Sequence, residues 1–460
     1  MSHVDRIARI SGHLKGTENT TPQAAIQAQP CSLGDSSGYE RQNAALDDVV
    51  IVSALRTPMT KAKRGGLKDT TADDLMGVVL RATTERTGVE PEAVGDIVVG
   101  SVLGNSSQRA VECRMASFYA GFPEVVPVHT VNRQCSSGLQ AVASVAAAIK
   151  SGFYDIGIAC GVETMSQNPM SWEGGMNPRA ATMSQTQGCL MPMGVTSENV
   201  AAKFGVGRDT QDKFAVGSHK KAAAAQRMGK FKDEIVPVST KVKDPKTGQE
   251  HPITVSQDDG IRGNASFESL SKLKPVFKKN GTTTAGNSSQ VTDGASAVLM
   301  MSRREALGRG LPILGVFRSF AAVGVDPAIM GIGPAVAIPA AVAKAGLSID
   351  DIDLFELNEA FASQATYCIN KLGLDESKVN VNGGAIALGH PLGMTGARCT
   401  ATLLHEMKRR GRAARFGVVS MCIGSGMGAA AVFERGAEVD SLINASTASV
   451  QGHLSKDARV

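Results

Sequence analysis

The stretch VNRQCSSGLQAV, residues 131–142, predicts the end of a strand, a tight turn and the first turn of a helix. β-Branched valines precede the turn, two serines and a glycine form it, and apolar residues then recur at helical spacing. Cys135 therefore lies at or just before a helix N-terminus, where we expect the helix dipole and free N–H groups to lower the pKa of its thiol. A buried thiol with only a packing role is the alternative interpretation of this residue alone.

A second stretch, VNVNGGAIALGHPLGMTGARCTATLL (residues 379–404), repeats the design of strand, glycine-rich turn and helix. The segments before the two stretches, residues 80–105 and 339–362, also resemble each other, and apolar strands follow both at 155–166 and 415–434. We therefore predict an α/β protein with two halves built alike. Alternating strands and helices favour mixed, largely parallel sheets with helices on both faces.

Between the halves, residues 166–285 are rich in Met, Lys, Asn and Gly and contain an amphipathic helical pattern at 208–228, which we interpret as an inserted loop domain. If the halves pack about a pseudo-twofold axis, equivalent corners converge, and Cys135 is expected to face His390. The predicted division of the chain is a leader at 1–46, a first domain at 47–165 and 286–308, the inserted domain at 166–285, a second domain at 309–436 and a tail at 437–460.

The composition excludes several classes of protein. Of the 460 residues, 42% are hydrophobic and 20% are charged, and no apolar run approaches the ~20 residues that span a bilayer, so we expect no membrane partner. A net charge of +5 suits an anionic small molecule but gives no case for nucleic acid. The cysteines form no C-x-x-C pair and the histidines no ligand-spaced cluster, which argues against a metal site or a disulfide scaffold.

The leader contains RIARISGHL, residues 6–14. Arg6, Ile7, His13 and Leu14 fit the peroxisomal targeting signal of the second type, which predicts a peroxisomal location and an import receptor as partner. The basic residues of the same segment also suit a mitochondrial presequence, which is the alternative.

Four elements together supply the parts of a covalent acyl-transfer site. They are a thiol at Cys135, a histidine at His390 in GHP, an asparagine at Asn358 in LFELNEAFA, and the glycine-rich turn CIGSGMG with Cys422 and Gly424. These residue types provide a nucleophile, a base, a second thiol as acid and base, and backbone amides for an oxyanion. A hydrolytic Cys/His/Asn enzyme is the rival, but it has no use for Cys422, and no papain-like C-G-S-C-W stretch is present.

The motifs NRQCSSGLQA, NEAFA, GHPLGMTGAR and CIGSGMG occur in the order found in the thiolases, and from about Asp47 to Gly436 the sequence resembles that family, above all its plant-like peroxisomal 3-ketoacyl-CoA thiolases. The resemblance implies the thiolase fold, with two βαβαβαββ halves about a pseudo-twofold axis and an inserted loop domain. It also implies a homodimer. Coenzyme A is expected as co-substrate, 3-ketoacyl-CoA as substrate, and no bound cofactor.

The resemblance also assigns roles to individual residues. Cys135 would carry the acyl group, His390 would activate it, and Cys422 would act as general acid and base. Asn358 would hold a water that forms one oxyanion hole with His390, and the amides of Cys135 and Gly424 would form the other. The coenzyme A contacts of the family fall on Ser289, Met193, Arg262, Phe277, Met330, Ala360 and Phe361.

Two features of the inserted segment bear on function. Short-chain biosynthetic thiolases have H-M-G where this chain has Pro192, Met193 and Gly194, which favours degradative thiolysis. The alternatives are a biosynthetic acetoacetyl-CoA thiolase and a non-catalytic acyl-CoA or lipid carrier of the same fold.

Cys189, just before this loop, either packs there or reaches Cys135 to form a reversible disulfide.

Overall fold

The structure is a computed structural model that describes residues 46–436 except 105–107, 169 and 171–174. The targeting segment at residues 6–14 and the predicted tail at 437–460 lie outside the described residues. Domain limits drawn from the sequence therefore remain predictions at both ends of the chain.

The described part of the chain contains twelve strands and twelve α-helices. The strands are β1 (Val49–Arg56), β2 (Thr60–Lys61), β3 (Asp96–Gly100), β4 (Val128–Val131), β5 (Ile156–Thr164), β6 (Val238–Lys243), β7 (Glu250–Val255), β8 (Thr292–Ser302), β9 (Gly315–Gly324), β10 (Leu354–Leu357), β11 (Phe416–Ile423) and β12 (Met427–Arg435). The helices are α1 (Ala72–Thr87), α2 (Gln108–Tyr119), α3 (Ser137–Lys150), α4 (Ser184–Cys189), α5 (Met193–Phe204), α6 (Arg208–Arg227), α7 (Phe267–Ser271), α8 (Arg303–Gly308), α9 (Gly333–Lys344), α10 (Ala362–Leu372), α11 (Ala385–Leu388) and α12 (Leu392–Arg410).

The two halves have the same strand connectivity. In the first half β3 pairs in parallel with β4 and β5, β5 pairs antiparallel with β8, and β8 with β1. In the second half β10 pairs in parallel with β11 and, through a single bridge from Phe355, with Val379; β11 pairs antiparallel with β12, and β12 with β9. The predicted duplication and α/β fold are thus confirmed. The short antiparallel pairing of β1 with β9 joins the halves into one continuous sheet.

The expectation of largely parallel sheets is wrong. Within the large sheet the parallel strand pairs are β3–β4, β3–β5 and β10–β11, and the remaining pairs are antiparallel. The cause is visible between β11 and β12, where Ser425 and Gly426 take positive φ values of 65° and 89° and form a tight turn. Strands joined in this way run antiparallel. The equivalent pair β5 and β8 keeps that geometry although the inserted segment separates them.

Three hydrophobic cores arrange the halves in five layers. The outer core of the first half joins α1 and α2 to the sheet, and the outer core of the second half joins α9 and α10 to it. The central core contains α3 and α12 between the inner faces of both halves. Almost every residue of α12 is buried, as expected for a helix covered on both sides.

Two glycines let α3 and α12 approach each other closely. A Cβ at Gly138 would lie 2.7 Å from the carbonyl oxygen of Gly393, and one at Gly396 would lie 2.1 Å from the nitrogen of Leu139. Larger residues at these positions would push the helices apart. The helix starts therefore lie side by side, which brings the two corners of the duplicated halves together.

The inserted segment contributes α4 to α7 and the hairpin of β6 and β7. The predicted amphipathic helix is α6, which ends one residue earlier than expected. Arg56 of the first half anchors this segment through buried ion pairs of 2.7 Å to Glu234 and to Asp258. The limits of the inserted domain, residues 166–285, remain a prediction.

One described helical stretch, Pro327–Lys344, has the length and apolar composition of a membrane-crossing helix, and half of it is buried. Its apolar residues Ala337, Ile338 and Ala341 belong to the outer core of the second half. Packing against the sheet accounts for its composition.

Candidate active site

Cys135 lies directly before α3, as the sequence predicted. The N-cap of the helix is Ser136, and Gln134 on the other side of the cysteine has a positive φ of 47°. A non-glycine residue in this conformation costs about 1–3 kcal/mol and persists only where its neighbours fix it. Asn132 Oδ1 accepts the amide N–H of Gln134 at 2.9 Å, and the amide of Ser137 donates to the carbonyl of Gln134 at 2.9 Å. These hydrogen bonds fix the sharp corner that carries the thiol.

The electrostatic setting of this thiol differs from the expectation. Burial raises the pKa of Cys135, and hydrogen bonds from the amides of Gly424 and of Cys135 itself lower it by less. The prediction of a lowered pKa is wrong because the helix start is accompanied by desolvation, which disfavours the thiolate. The resting side chain is a neutral thiol, and its attack on a substrate needs a base.

The same two amides lie beside the sulfur of the predicted nucleophile. Gly424 follows β11 in the tight turn before β12, and its N–H and that of Cys135 both reach the sulfur of Cys135. Gly424 lacks a side chain where a Cβ would contact Met193 and Gln134 at 3.4 and 4.0 Å. Two amide donors beside a nucleophile are what the predicted oxyanion hole requires, and that role stays a prediction.

His390 is buried in the turn that leads into α12. Its Nδ1 lies 2.6 Å from the hydroxyl of Thr395, and the side-chain amide of Asn358 donates to its Nε2 at 3.3 Å. In that arrangement Nδ1 carries the proton and donates to Thr395. Burial, and next the positive charge of Arg398, lower the pKa of His390 from 6.5 to about 3. The imidazole is therefore neutral, and its unprotonated Nε2 accepts the hydrogen bond from Asn358.

Cys422 lies near the end of β11 and is fully buried. Burial raises the pKa of Cys422 well above its ordinary value, and the neighbouring thiol of Cys135 raises it further. Asn358 is hydrogen-bonded to the same strand, because its backbone N–H donates to the carbonyl of Ser420 at 2.9 Å. The carbonyl oxygen of the Asn358 side chain is buried without a hydrogen-bond partner in the described part of the chain.

Comparison with known families decides the assignment. Residues 49–304 match the family described as "Thiolase, N-terminal domain", and residues 311–435 match "Thiolase, C-terminal domain". The chain belongs to the thiolase family. The predicted family and fold are thereby confirmed.

Individual relatives support the same assignment. This thiolase is 67% identical over 458 residues to "3-ketoacyl-CoA thiolase 2, peroxisomal" of Arabidopsis thaliana, covering 99% of each chain. It is 56% identical to "3-ketoacyl-CoA thiolase A, peroxisomal" of Rattus norvegicus, covering 94% of this chain and 97% of the relative.

Solved structures agree. The dimeric peroxisomal thiolase of Saccharomyces cerevisiae matches with a TM-score of 0.78 and 45% identity, over 85% of this chain and 98% of that one. Human mitochondrial 3-ketoacyl-CoA thiolase in complex with CoA matches with a TM-score of 0.75 and 39% identity, again over 85% and 98%.

Most of the residues expected to contact coenzyme A lie together in this thiolase. Met193, Met330, Ala360 and Phe361 pack in one cluster with Cys422. The ring of Phe277 stands edge-on to that of Phe361, with centroids 6.5 Å apart. These side chains line one apolar wall that ends at the second thiol.

The other two predicted contacts reach this wall differently. The amide of Ser289 donates to the carbonyl of Ala360 at 3.0 Å, which ties Ser289 to the wall directly. Arg262 is held through its backbone amide, which donates to Nδ1 of His219 at 3.2 Å. Its connection to the wall is indirect. Gly260, two residues before Arg262, accepts a hydrogen bond at 3.0 Å from the side chain of Gln290, and Gln290 follows Ser289 in the sequence.

Cys189 is exposed at the end of α4, with its thiol 3.7 Å from the carbonyl of Ser425. Ser425 follows Gly424, whose amide reaches Cys135. Cys189 therefore lies at the rim of the site, and its proposed disulfide with Cys135 remains a prediction.

Sequence reasoning missed two residues of the site. Thr395, which hydrogen-bonds the imidazole, lies five residues after His390 on the first turns of α12. A hydroxyl side chain at that spacing from the histidine was the signal in the sequence. Glu163, at the end of the apolar strand β5, is fully buried among backbone amides beside Cys135. A single carboxylate inside an apolar run was its signal, since such a group is seldom buried without partners.

Proposed function

We propose that this protein is a degradative 3-ketoacyl-CoA thiolase, which converts a 3-ketoacyl-CoA and coenzyme A into acetyl-CoA and a shortened acyl-CoA, the last step of peroxisomal fatty acid β-oxidation. The observation that carries the proposal is the thiol of Cys135 under the amides of Gly424 and its own residue, beside Cys422. The relatives that cover nearly the whole chain bear the same name.

The pKa shifts indicate how the first step begins. Because the pKa of the Cys135 thiol is raised and that of the His390 imidazole is lowered to about 3, a preformed ion pair is disfavoured. Proton transfer to Nε2, from which the side-chain N–H of Asn358 must withdraw, is therefore coupled to attack of the sulfur on C3 of the substrate. The amides of Cys135 and Gly424 stabilise the oxyanion that forms on the C3 oxygen.

Collapse of this intermediate breaks the bond between C2 and C3. The electron pair passes to C2 as the enolate of acetyl-CoA, whose oxygen is stabilised by His390, now protonated at Nε2, and by a water on Asn358. The buried, unpartnered oxygen of Asn358 supports such a polar neighbour. Cys422 gives its proton to C2, acetyl-CoA leaves, and the acyl group stays on Cys135 as a thioester.

The second step restores the enzyme. The thiol of coenzyme A transfers its proton to the thiolate of Cys422 and attacks the acyl carbon. The sulfur of Cys135 leaves and takes back a proton from His390. Each group returns to its starting state, and the reaction requires no cofactor beyond coenzyme A as co-substrate.

The wall around Cys422 suits the acyl-pantetheine end of the substrate. Met193 and Phe277 come from the inserted segment and Phe361 from the second half, so the wall closes across two parts of the chain. Pro192 before Met193 supports the degradative branch over a biosynthetic acetoacetyl-CoA thiolase. A non-catalytic acyl-CoA or lipid carrier would have no use for both thiols and the oriented histidine.

A homodimer is supported by one surface. Strand β4 is the last strand of the sheet order, and α2 beside it exposes an apolar row of Val111, Met115 and Phe118 at helical spacing. Val111 is 60% exposed and Phe118 is 46% exposed. A second copy is the partner that fits, since the matched yeast thiolase is dimeric.

The location proposed for this protein is the peroxisome. Curated relatives from plants and mammals are named peroxisomal. We propose that RIARISGHL at residues 6–14 is the address and that the import receptor for signals of this type binds it. The alternative is a mitochondrial presequence, and a reporter fused to residues 1–45 distinguishes the two destinations.

The function is tested by the enolate absorbance of 3-ketoacyl-CoA substrates. Addition of coenzyme A to enzyme and substrate should abolish this absorbance and release acetyl-CoA for several chain lengths. Activity with acetoacetyl-CoA alone would instead support the short-chain biosynthetic role. Binding without loss of absorbance would support the carrier.

A further inference from the structure

Glu163 accepts four hydrogen bonds, two at each carboxylate oxygen. Oε1 accepts from the hydroxyl of Ser101 at 3.3 Å and from the amide of Leu103 at 2.9 Å. Oε2 accepts from the amides of Val102 at 3.0 Å and Gly393 at 2.9 Å. Both oxygens thus have two donors aimed at them, and the side chain is fully buried.

These donors come from both halves of the protein. Ser101, Val102 and Leu103 follow β3 of the first half, whereas Gly393 lies in the first turn of α12, three residues after His390. The fit at Gly393 is tight, because a Cβ there would lie 2.6 Å from the Cα of Ser101 and 3.0 Å from Oε2 of Glu163. The carboxylate therefore links the loop after β3 to the turn that carries the histidine through hydrogen bonds to both segments.

The two segments held by Glu163 also form the surroundings of the nucleophile. Val102, Leu103 and Leu392 pack in one apolar cluster with Cys135. A shift of either segment would move the walls of the acyl site or the histidine relative to the sulfur.

We propose that Glu163 is a positioning residue for the proposed thiolysis, whose carboxylate fixes the loop after β3 and the His390 turn around Cys135 and so sets the reactivity of its thiol. The inference rests on the proposed function. It assigns to Glu163 a role through Cys135 and His390 rather than a contact with substrate.

The hydrogen bonds favour the ionised form of Glu163. Three of the four partners are backbone amides, which can only donate, and the hydroxyl of Ser101 is the one partner that could accept from a protonated carboxyl. Burial raises the pKa of Glu163 above its usual range, and the amides of Leu103 and Gly393, the positive charge of Arg109 and the amide of Val102 offset only part of that rise.

Several other groups share this environment. The thiol of Cys113 and the guanidinium of Arg109 face Glu163 from α2, and Cys135 faces it from the corner before α3. Cys422 is also a neighbour of Cys135. Within this set the charge of Glu163 adds to burial in raising the pKa of Cys135.

The test compares three variants of the full chain. Glu163→Gln keeps the shape but removes the charge and replaces one acceptor oxygen by a donor. Glu163→Asp keeps the charge but shortens the reach. Glu198→Gln is the matched control, since Glu198 is also buried and accepts the amides of Thr282 at 2.9 Å and Thr283 at 2.7 Å.

Two measurements are made on each folded variant. The first is kcat and KM for thiolysis. The second is the pH dependence of alkylation of Cys135 by iodoacetamide without substrate, followed by peptide mass spectrometry because the exposed Cys189 also reacts. The second readout needs no thiolase activity, so absence of thiolysis in the wild type would overturn the proposed function separately.

For Glu163→Gln we expect kcat to fall about 10²-fold, as for a small displacement of reacting groups, with little change in KM. Alkylation of Cys135 should shift to lower pH. Glu163→Asp should lower kcat while keeping the wild-type alkylation profile, and Glu198→Gln should lower the melting temperature without moving that profile.

A wild-type kcat or a wild-type alkylation profile in Glu163→Gln would overturn the proposal. A profile that moves equally in Glu198→Gln would also overturn it, because the effect would then be general loosening of the fold. If circular dichroism shows that Glu163→Gln does not fold, the test uses Glu163→Asp instead. An unchanged kcat in that variant would contradict the proposal.

Discussion

The side-chain amide of Asn358 lies 3.3 Å from Nε2 of His390, and both side chains are buried where β10 ends and α12 begins. This contact joins the end of β10 to the start of α12, 32 residues apart in sequence. With Nδ1 bound to Thr395, the imidazole has one fixed tautomer and one nitrogen directed at the site.

Thr395→Val should lower kcat about 10- to 100-fold, because Nδ1–H of His390 loses its buried acceptor, a penalty of ~1–3 kcal/mol. Steady-state thiolysis measures the change. The matched control is Thr400→Val on the same helix, whose hydroxyl donates to the carbonyl of Gly396 at 2.9 Å. Equal loss of kcat in both variants would show that Thr395 acts only through the stability of α12.

Cys135→Ser should retain the fold and form no acyl-enzyme, because a serine hydroxyl is a much weaker acid than the thiol and gives a poorer leaving group. Mass spectrometry of the wild type after brief exposure to 3-ketoacyl-CoA should find the acyl group on Cys135. An acyl group on Cys422, or none, contradicts the assignment. Cys399→Ser, at a buried thiol on α12, is the control for loss of a packed sulfur.

The stability of the protein should fall as pH drops from 6.5 towards 3, in part because of His390. Its pKa is about 3 when folded against 6.5 ordinarily, so over this range the unfolded chain binds a proton that the native state does not. The free energy of unfolding therefore decreases on acidification. His219, whose pKa is lowered to about 4, acts in the same direction.

Denaturant unfolding of wild type and His390→Asn at pH 7 and pH 5 isolates the contribution of His390. The wild type should lose more stability between the two values than the variant. An equal loss in both proteins would mean that His390 titrates normally.

Oxidation should inactivate the enzyme reversibly if Cys189 reaches Cys135. Peroxide followed by dithiothreitol should remove and restore activity, and Cys189→Ala should resist the loss. Since a disulfide needs Cα atoms within ~7 Å, α4 must carry Cys189 from its contact with the carbonyl of Ser425 to the side of Cys135. Peptide mapping without a linked Cys135–Cys189 fragment, together with unchanged inactivation of Cys189→Ala, would refute the disulfide.

Fusion of residues 1–45 to a reporter should direct it to peroxisomes, because Arg6 and His13 lie at the fixed positions of the signal. Replacement of either residue by alanine should leave the reporter in the cytosol. Replacement of Lys15, outside the pattern, is the matched control. Delivery of the unaltered fusion to mitochondria would rule out the peroxisomal signal.

The sequence predicted the duplicated halves because each half repeats the same order of strand, turn and helix. Strand direction could not be predicted, since it depends on the tight turn at Ser425–Gly426 and on which strand β8 joins after the inserted segment. Those pairings are properties of the whole sheet.

Some features of the active site could be predicted from the sequence, and others depend on the fold. Cys135 and His390 stand at recognisable turns and Cys422 stands near the end of a strand, so their types and spacing indicated the chemistry. The pKa of Cys135 was predicted with the wrong sign because sequence shows a helix start but not how completely neighbouring side chains exclude water. Glu163 was missed because its meaning depends on amides from residues 102, 103 and 393, which only the fold brings together.

The central position of α12 has a consequence for synthesis on the ribosome. Helix α3 emerges early, but the helix that covers it occupies residues 392–410, so the middle layer closes only when almost the whole chain has been made. Until then the growing polypeptide exposes the apolar face of α3 and the inner side of the first-half strands. Such long-range closure slows folding and leaves a nascent chain open to aggregation, which predicts a strong dependence on chaperones that hold unfinished chains.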